Sequence, residues 1–339
     1  MSWDSVTKDR IATLKQASQL IKSAYHPLLI CHVAPDGDAI GSLAGLGHAL
    51  RRMGREPILA CQDPVPSRLS YIPGAEVVVQ DTGDAFDLII SLDCSDRERL
   101  GHFAHMPTFE RTPLLNIDHH LTNLHFGTVN LVDPSASSAA EVVLRLLDYM
   151  AIPLDADVAT CLLAGIVTDT RGFRTSNVTL QLMEATLRLM KAGASLPYIT
   201  HHGLDRRPTT AIRLWGAALA QLQVKDRVVW TYVTPEMRRA AGYTGNGDAG
   251  LVSFLISAND ADAAVVFVER EDGTVEVGLR AVPGYDVGHV ALVLGGGGHV
   301  LAAGCTLPGP LEDAQAQVLA ALQADLARQR QASDEQAGA

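Results

Sequence analysis

Leu28-Leu29-Ile30-Cys31-His32-Val33-Ala34-Pro35-Asp36-Gly37-Asp38-Ala39-Ile40-Gly41-Ser42 reads as a short apolar strand ending at His32, a Pro/Gly turn carrying Asp36 and Asp38, and the start of a helix. The apolar part is continuous rather than alternating, the pattern of a strand covered on both faces in a parallel sheet. Three further segments repeat the theme. Asp87-Leu88-Ile89-Ile90-Ser91-Leu92-Asp93-Cys94-Ser95-Asp96 is a buried-strand pattern that ends in acids. Leu114-Leu115-Asn116-Ile117-Asp118-His119-His120 ends in an acid and two imidazoles, and Gly165-Ile166-Val167-Thr168-Asp169-Thr170 closes a largely apolar helical stretch with an acid. Ligands of parallel sheets collect outside the carboxyl ends of the strands. His32, Asp36, Asp38, Asp93, His119 and Asp169 are therefore expected at one rim.

Working outward, apolar strand candidates alternate with helical ones from Leu28 to about Met190. Pro57 to Cys61, Glu76 to Val79, Asp87 to Leu92 and Pro113 to Ile117 read as strands, and Ala39 to Met53 and Ala139 to Met150 as helices. This alternation predicts an α/β fold with a doubly wound parallel sheet in a first domain over residues 1–191. Residues 192–211 mix Gly, Pro, Arg and His and read as a linker, with His201-His202 belonging to it rather than to a metal site. A smaller α/β domain is expected over 212–328, with strands at Arg227 to Thr234, Ala263 to Val268 and Thr274 to Arg280 and a closing helix from Glu312 to Arg328. The polar, small residues 329–339 predict a disordered tail.

Carboxylate oxygens combined with imidazole nitrogens suit Mn²⁺, and Mg²⁺ or Zn²⁺ less exclusively. Two ions about 3.5–4 Å apart need one shared carboxylate and separate ligands on either side. Asp93, on the central strand, is the expected bridge. His32 and Asp36 converge on one ion, while Asp38 points at its neighbour together with His119 and Asp169.

The chain has 339 residues, 47% of them hydrophobic and 19% charged, enough for two cores. No apolar stretch reaches the roughly 20 residues of a membrane span. Met1-Ser2-Trp3-Asp4-Ser5 lacks the basic and apolar regions of a secretory signal. Cys31, Cys61, Cys94, Cys161 and Cys305 are odd in number and widely spaced, and read as buried free thiols of a reducing cytoplasm. The formal net charge of −11, without a long Lys/Arg run, argues against tracking of long nucleic acid and for short substrates held by a few local groups.

The four acid- and histidine-bearing segments resemble the motifs of the DHH phosphoesterases: His-x-x-x-Asp-x-Asp, a strand-end Asp, the Asp-His-His triplet and a later Thr-Asp-Thr-like acid. The resemblance implies that His32, Asp36 and Asp93 hold one divalent metal and that Asp38, Asp93, His119 and Asp169 hold the other. It further implies that His120 faces the substrate phosphate and that Asp118 orients its neighbours. Leu294-Gly295-Gly296-Gly297-Gly298-His299-Val300-Leu301-Ala302-Ala303-Gly304 is a glycine run feeding a small-residue, helix-compatible stretch. Such a run allows backbone N–H groups and a helix start to meet an anion, or marks a flexible turn. It is similar to the Gly-Gly-Gly-His-x-x-Ala-Ala-Gly motif of the DHH-associated domain, which makes Gly296, Gly297, Gly298 and His299 substrate-binding candidates. Arg280, at the end of an alternating strand pattern, and Arg99 fit the same family, and an Arg fork suits phosphate. Ser137-Ser138 also fits it, and suits a helix N-cap equally.

Length and layout point to the compact branch that degrades nanoRNA and dephosphorylates 3′-phosphoadenosine 5′-phosphate (pAp). The chemistry implied is hydrolysis by a hydroxide activated by two metal ions, in a cleft between the domains. Implied substrates are short RNA or DNA oligonucleotides, linear dinucleotides such as pApA, and pAp, with no membrane or long duplex as partner and a homodimer as the assembly. The alternatives are a RecJ-like exonuclease on longer single strands and a nucleotide-binding regulator without catalysis.

Overall fold

A computed structural model of the chain describes residues 8–83 and 85–337 and divides after Arg206 into two units. The first begins with a helix, α1 (Lys8–Ser23), ahead of the opening strand β1 (Pro27–Cys31). There follow α2 (Gly37–Arg52), β2 (Ile58–Ala60), β3 (Leu88–Leu92), β4 (Leu114–Asp118) and β5 (Val129–Val132), then α3 (Ala139–Tyr149), α4 (Ala156–Asp169), α5 (Leu180–Lys191) and α6 (Leu196–Thr200). All strand pairings are parallel and the order is β2-β1-β3-β4-β5. The chain steps from β1 out to β2, then returns past β1 to β3. The winding therefore reverses between the carboxyl ends of β1 and β3, the place where an open parallel sheet binds its ligands. His32 follows β1 and Asp93 follows β3.

The continuous apolar runs have their reason in two covered faces. Leu29, Cys31, Ile90, Leu92, Leu115 and Ile117 pack with Leu43 and Leu46 of α2, Val143 of α3 and Leu163 of α4. The alternate residues Leu28, Ile30, Ile89 and Leu114 meet Leu100, Phe103 and Phe109 from short 3₁₀ turns on the opposite side. Each such aliphatic side chain contributes roughly 1.5–3 kcal/mol on burial, so a polar substitution on either face costs the sheet. Ser138 caps α3, its Oγ accepting from Glu141 N at 3.1 Å.

Three stretches differ from expectation. Glu76 to Val79 is no strand: a 3₁₀ turn spans Ala75–Val77 after Gly74 at φ +87°, and only Val79 bridges to Ala60. Val77 is 45% exposed, so nothing there rewards extended pairing. The stretch expected as a linker, 192–211, is largely helical, α6 continuing into a π-helical turn over His201–Asp205, and the unit boundary falls inside it. His202 packs its ring against Tyr198 at 4.1 Å and Tyr71 at 5.7 Å, which places it in aromatic packing.

The second unit contains α7 (Thr209–Leu219), β6 (Gln223–Lys225), β7 (Val228–Val233), α8 (Pro235–Ala241), α9 (Leu251–Leu255), β8 (Ala263–Glu269) and β9 (Thr274–Ala281). It closes with α10 (Gly288–Val293), β10 (Gly297–His299), β11 (Ala302–Pro308) and α11 (Leu311–Ala337). Its mixed sheet runs β10-β11-β9-β8-β7-β6, with only β7 and β8 parallel. One face packs on α10 and α11, the other on α7, α8 and α9. The third difference is the tail: instead of becoming disordered at Gln329, α11 runs on to Ala337. Contacts explain its start, since Gln329 Nε2 donates to Asp286 O at 3.0 Å and Arg330 pairs with Asp262 at 2.9 Å. Residues 338 and 339 lie outside the described residues. Among the described residues no helix is long and apolar enough to cross a membrane, and all five cysteines are buried free thiols.

Candidate metal centre

The rim of the first sheet gathers every ligand expected from the sequence. Asp93 sits just beyond β3 at φ +57°, a left-handed conformation that costs a non-glycine residue roughly 1–3 kcal/mol and clusters at functional sites. Its N–H donates to Ile117 O at 3.0 Å, which ties the turn to β4. The carboxylate is 2% exposed, with Oδ2 at 3.5 Å from His32 Nε2 and Oδ1 at 3.6 Å from His119 Nε2. His32 Nδ1 contacts Val33 O at 2.7 Å. As a donor there, Nδ1 leaves the Nε2 lone pair toward Asp93 and toward Asp36, whose Oδ1 is 3.9 Å away.

Asp36 and Asp38 are placed by the start of α2. Asp36 is the N-cap, accepting from Asp38 N at 3.0 Å and Ala39 N at 3.1 Å. Asp38, in the first turn, accepts from Ala139 N at 2.6 Å and Ala140 N at 2.9 Å, so the amino end of α3 supports its charge. Asp169 is the last residue of α4, where the helix end favours a cation. Its Oδ2 lies 3.6 Å from His119 Nε2, and Asp38 Oδ2 lies 4.0 Å from the same nitrogen. Gly165 makes this approach possible: a Cβ there would lie 2.6 Å from both Asp38 Oδ1 and the Ala140 methyl.

The triplet divides its work. Asp118 Oδ1 holds His120 Nδ1 at 2.7 Å, and Asp118 Oδ2 accepts from Asn123 Nδ2 at 2.6 Å. Asn123 also donates to Cys94 O and accepts from Asn116, both at 3.1 Å. Asp118 thus has a side-chain partner on each oxygen, His120 on Oδ1 and Asn123 on Oδ2, which fixes the His120 ring. Sequence reading missed Asn123; its only trace is a polar residue three positions after the triplet.

Electrostatics show what the rim lacks. Burial, then the charge of Asp169, raises Asp38 to about 7, and burial, then the charge of Asp36, raises Asp169 to about 7. Asp93 lies well above the ordinary carboxylate range through burial and the charges of Asp38, Asp36 and Asp169. Burial lowers His32, which keeps it in the neutral form that binds metal. For His120 burial pulls downward, yet the hydrogen bond and charge of Asp118 raise it overall. For Asp118 burial pulls upward, and the hydrogen bond and charge of His120 outweigh it, so the group lies below its usual value. Asp93 Oδ1 is buried without a hydrogen-bond partner. An orphaned carboxylate oxygen among crowded acids and imidazoles fits divalent cations, and the ligating atoms of His32, Asp36 and Asp93, and of Asp38, His119 and Asp169, lie within 4.8 Å of one another in each group.

Residues 28–166 match the family model described as DHH family, N-terminal domain, and residues 227–328 match that described as DHHA1 domain. A Thermus thermophilus protein named bifunctional oligoribonuclease and PAP phosphatase NrnA is 33% identical over 93% of this chain and 95% of its own length. The chain belongs to the DHH family. A Bacillus subtilis member of the same name is 29% identical over 81% of this chain and 87% of its own. The crystal structure of an exopolyphosphatase-related protein from Bacteroides fragilis has the same fold, with a TM-score of 0.87 at 24% identity, covering 94% of this chain and 98% of that one.

The remaining candidates are placed separately in the two units. Arg99 lies by the metal centre: Val33 N donates to its carbonyl at 2.8 Å, and its charge acts on His32 and His120. In the DHHA1 unit, Arg280, Ala302 and His299 stand on one row across β9, β11 and β10. The glycine run corrects the sequence expectation. It does not open a helix; Gly297–His299 forms strand β10 against β11. The reason is close backbone approach, since a Cβ on Gly298, at φ +142°, would lie 2.5 Å from Ala303 Cα. Gly297, Gly298 and His299 are exposed on that hairpin.

Proposed function

We propose that this DHH protein is a metal-dependent phosphoesterase that hydrolyses short oligonucleotides, linear dinucleotides included, to mononucleotides and removes phosphate from pAp. The observation that carries this reading is the orphaned Oδ1 of Asp93, on a carboxylate set between His32 and His119. The activity named for the Thermus and Bacillus relatives supports the substrate class, and the net charge of −11 favours short substrates over long polymers.

His32, Asp36 and Asp93 would hold one divalent ion, and Asp38, Asp93, His119 and Asp169 the other, with Mn²⁺ best matched to this mixed oxygen and nitrogen set. Bound there, the ions supply Lewis acidity that lowers the pKa of water and neutralises charge around phosphorus. The chain's own residues orient the reaction. Asp118 fixes the His120 ring and favours its protonated form, and His120 donates through Nε2 to a phosphoryl oxygen. Arg99 adds positive charge on the same side of the site. Arg280, His299 and the glycines of β10 bind substrate through its phosphate or sugar. The five buried thiols suit a cytoplasmic setting.

The test is reconstitution. Chelated protein should release neither mononucleotide from a short RNA nor phosphate from pAp, and added Mn²⁺ should restore both. Turnover that persists in chelator would refute the reading.

A further inference from the structure

The DHHA1 unit carries an arginine-lined cavity away from its glycine hairpin. It measures about 610 Å³, opens beside α8 and the β8–β9 turn, and is lined by Arg238, Arg239, Tyr243, Arg270, Glu271 and Asp272 among others. Thr274 starts β9 beside this cavity and Arg280 lies six residues further along the strand, which separates them by about 20 Å.

Most charges around the cavity are already engaged. Glu271 pairs with Arg239 at 3.4 Å, Arg239 with Glu236 at 2.5 Å, and Arg270 with Glu276. Asp272 Oδ1 accepts from Thr274 N at 2.9 Å and from Thr274 Oγ1 at 2.7 Å. Arg238 differs: its Nε and Nη2 are buried and have no hydrogen-bond partner. A buried donor without an acceptor costs about 1–3 kcal/mol, more when it is charged. The charge of Arg270 adds repulsion beside it. An oxyanion drawn against this guanidinium, with a small shift of the side chain, would relieve both penalties.

We propose that this cavity is an anion site, separate from the metal centre, that takes a phosphate monoester through Arg238 with Arg239 and Arg270 around it. A guanidinium fork meets two phosphate oxygens at once. The volume lies in the range of small-molecule sites, large enough for a whole 5′-mononucleotide with its base beside Tyr243 as well as for a free phosphate ion.

Titration calorimetry on the full chain tests this, with chelator present so that no divalent ion recruits phosphate to the metal centre. Inorganic phosphate and adenosine 5′-monophosphate are titrated separately. Saturable binding is expected; similar affinities identify the phosphate group alone as the ligand, and tighter binding of the nucleotide identifies the monoester. Arg238→Met should weaken binding by about ten-fold or more. If Arg238→Met fails to fold, Arg239→Glu, on a 60% exposed side chain, should give the same loss. Absence of saturable binding, or undiminished binding by the folded variant, would overturn the proposal.

Discussion

His32 and His119 approach opposite oxygens of one carboxylate: His32 Nε2 stands 3.5 Å from Asp93 Oδ2, and His119 Nε2 stands 3.6 Å from Asp93 Oδ1. Among the described residues no other acid at the rim is shared in this way by two imidazoles from two different strand ends. The arrangement makes Asp93 the joint between two ligand groups.

Asp93→Asn keeps the shape of the joint and removes its charge. The metal content per chain should fall, and kcat should drop by at least about 10²-fold, the order found when one transition-state-stabilising group is lost. Elemental analysis of purified protein beside initial rates checks both. Unchanged stoichiometry with unchanged rate would show that Asp93 does not bridge.

Among the described residues Asn123 hydrogen-bonds to Asp118 and to none of His32, Asp36, Asp38, Asp93, His119 and Asp169, so its loss should separate orientation from binding. Asn123→Ala should lower kcat by about 10–100-fold, the range for partners that orient a metal site. Metal content should be preserved, and a steady-state comparison with elemental analysis reads the split.

Gly165→Ala places a methyl where Asp38 Oδ1 and the Ala140 methyl are each 2.6 Å away. Overpacking of this kind costs about 1–3 kcal/mol. The melting temperature and the affinity for Mn²⁺ should fall together, because the same shift that relieves the clash moves Asp38 away from Asp169. A normal Mn²⁺ affinity in this variant would contradict the packing argument.

Protonation gives a stability prediction with a definite sign. In the metal-free fold Asp38 and Asp169 titrate at about 7 and Asp93 is held well above the usual carboxylate value of 3.8. The folded chain therefore binds more protons than the unfolded chain from about pH 4 upward, and stability is lost as pH rises through about 7. His32, lowered by burial, acts in the opposite sense on the acid side, but it is one group against three carboxylates. Thermal melts in chelator should show a falling melting temperature across this window, and Mn²⁺ should remove most of the fall. A melting temperature that rises with pH in chelator would contradict the crowding of acids.

Much of this was legible in the sequence because strand-end chemistry sits on continuous apolar runs. Once Leu28 to Cys31, Leu88 to Leu92 and Leu114 to Ile117 are read as parallel strands, His32, Asp93 and Asp118 must emerge at the same rim. The illegible parts depend on contacts distant in sequence. Asn123 acquires its meaning only from the fold around Cys94 and Asp118. The stretch Leu301 to Gly304 has small residues without strong periodicity, and pairing with β9 makes it a strand where local propensity allowed a helix. The ordered start of the expected tail rests on Gln329 and Arg330 meeting Asp286 and Asp262, partners more than forty residues away.

The most direct measurement is the rate of mononucleotide release by the Mn²⁺-loaded protein from RNAs of increasing length, with pAp and pyrophosphate as parallel substrates. The account predicts fast cleavage of dinucleotides and short oligomers, phosphate release from pAp, and a steep decline for longer RNA. Fast hydrolysis of pyrophosphate alone, or a rate that climbs with RNA length, would contradict it.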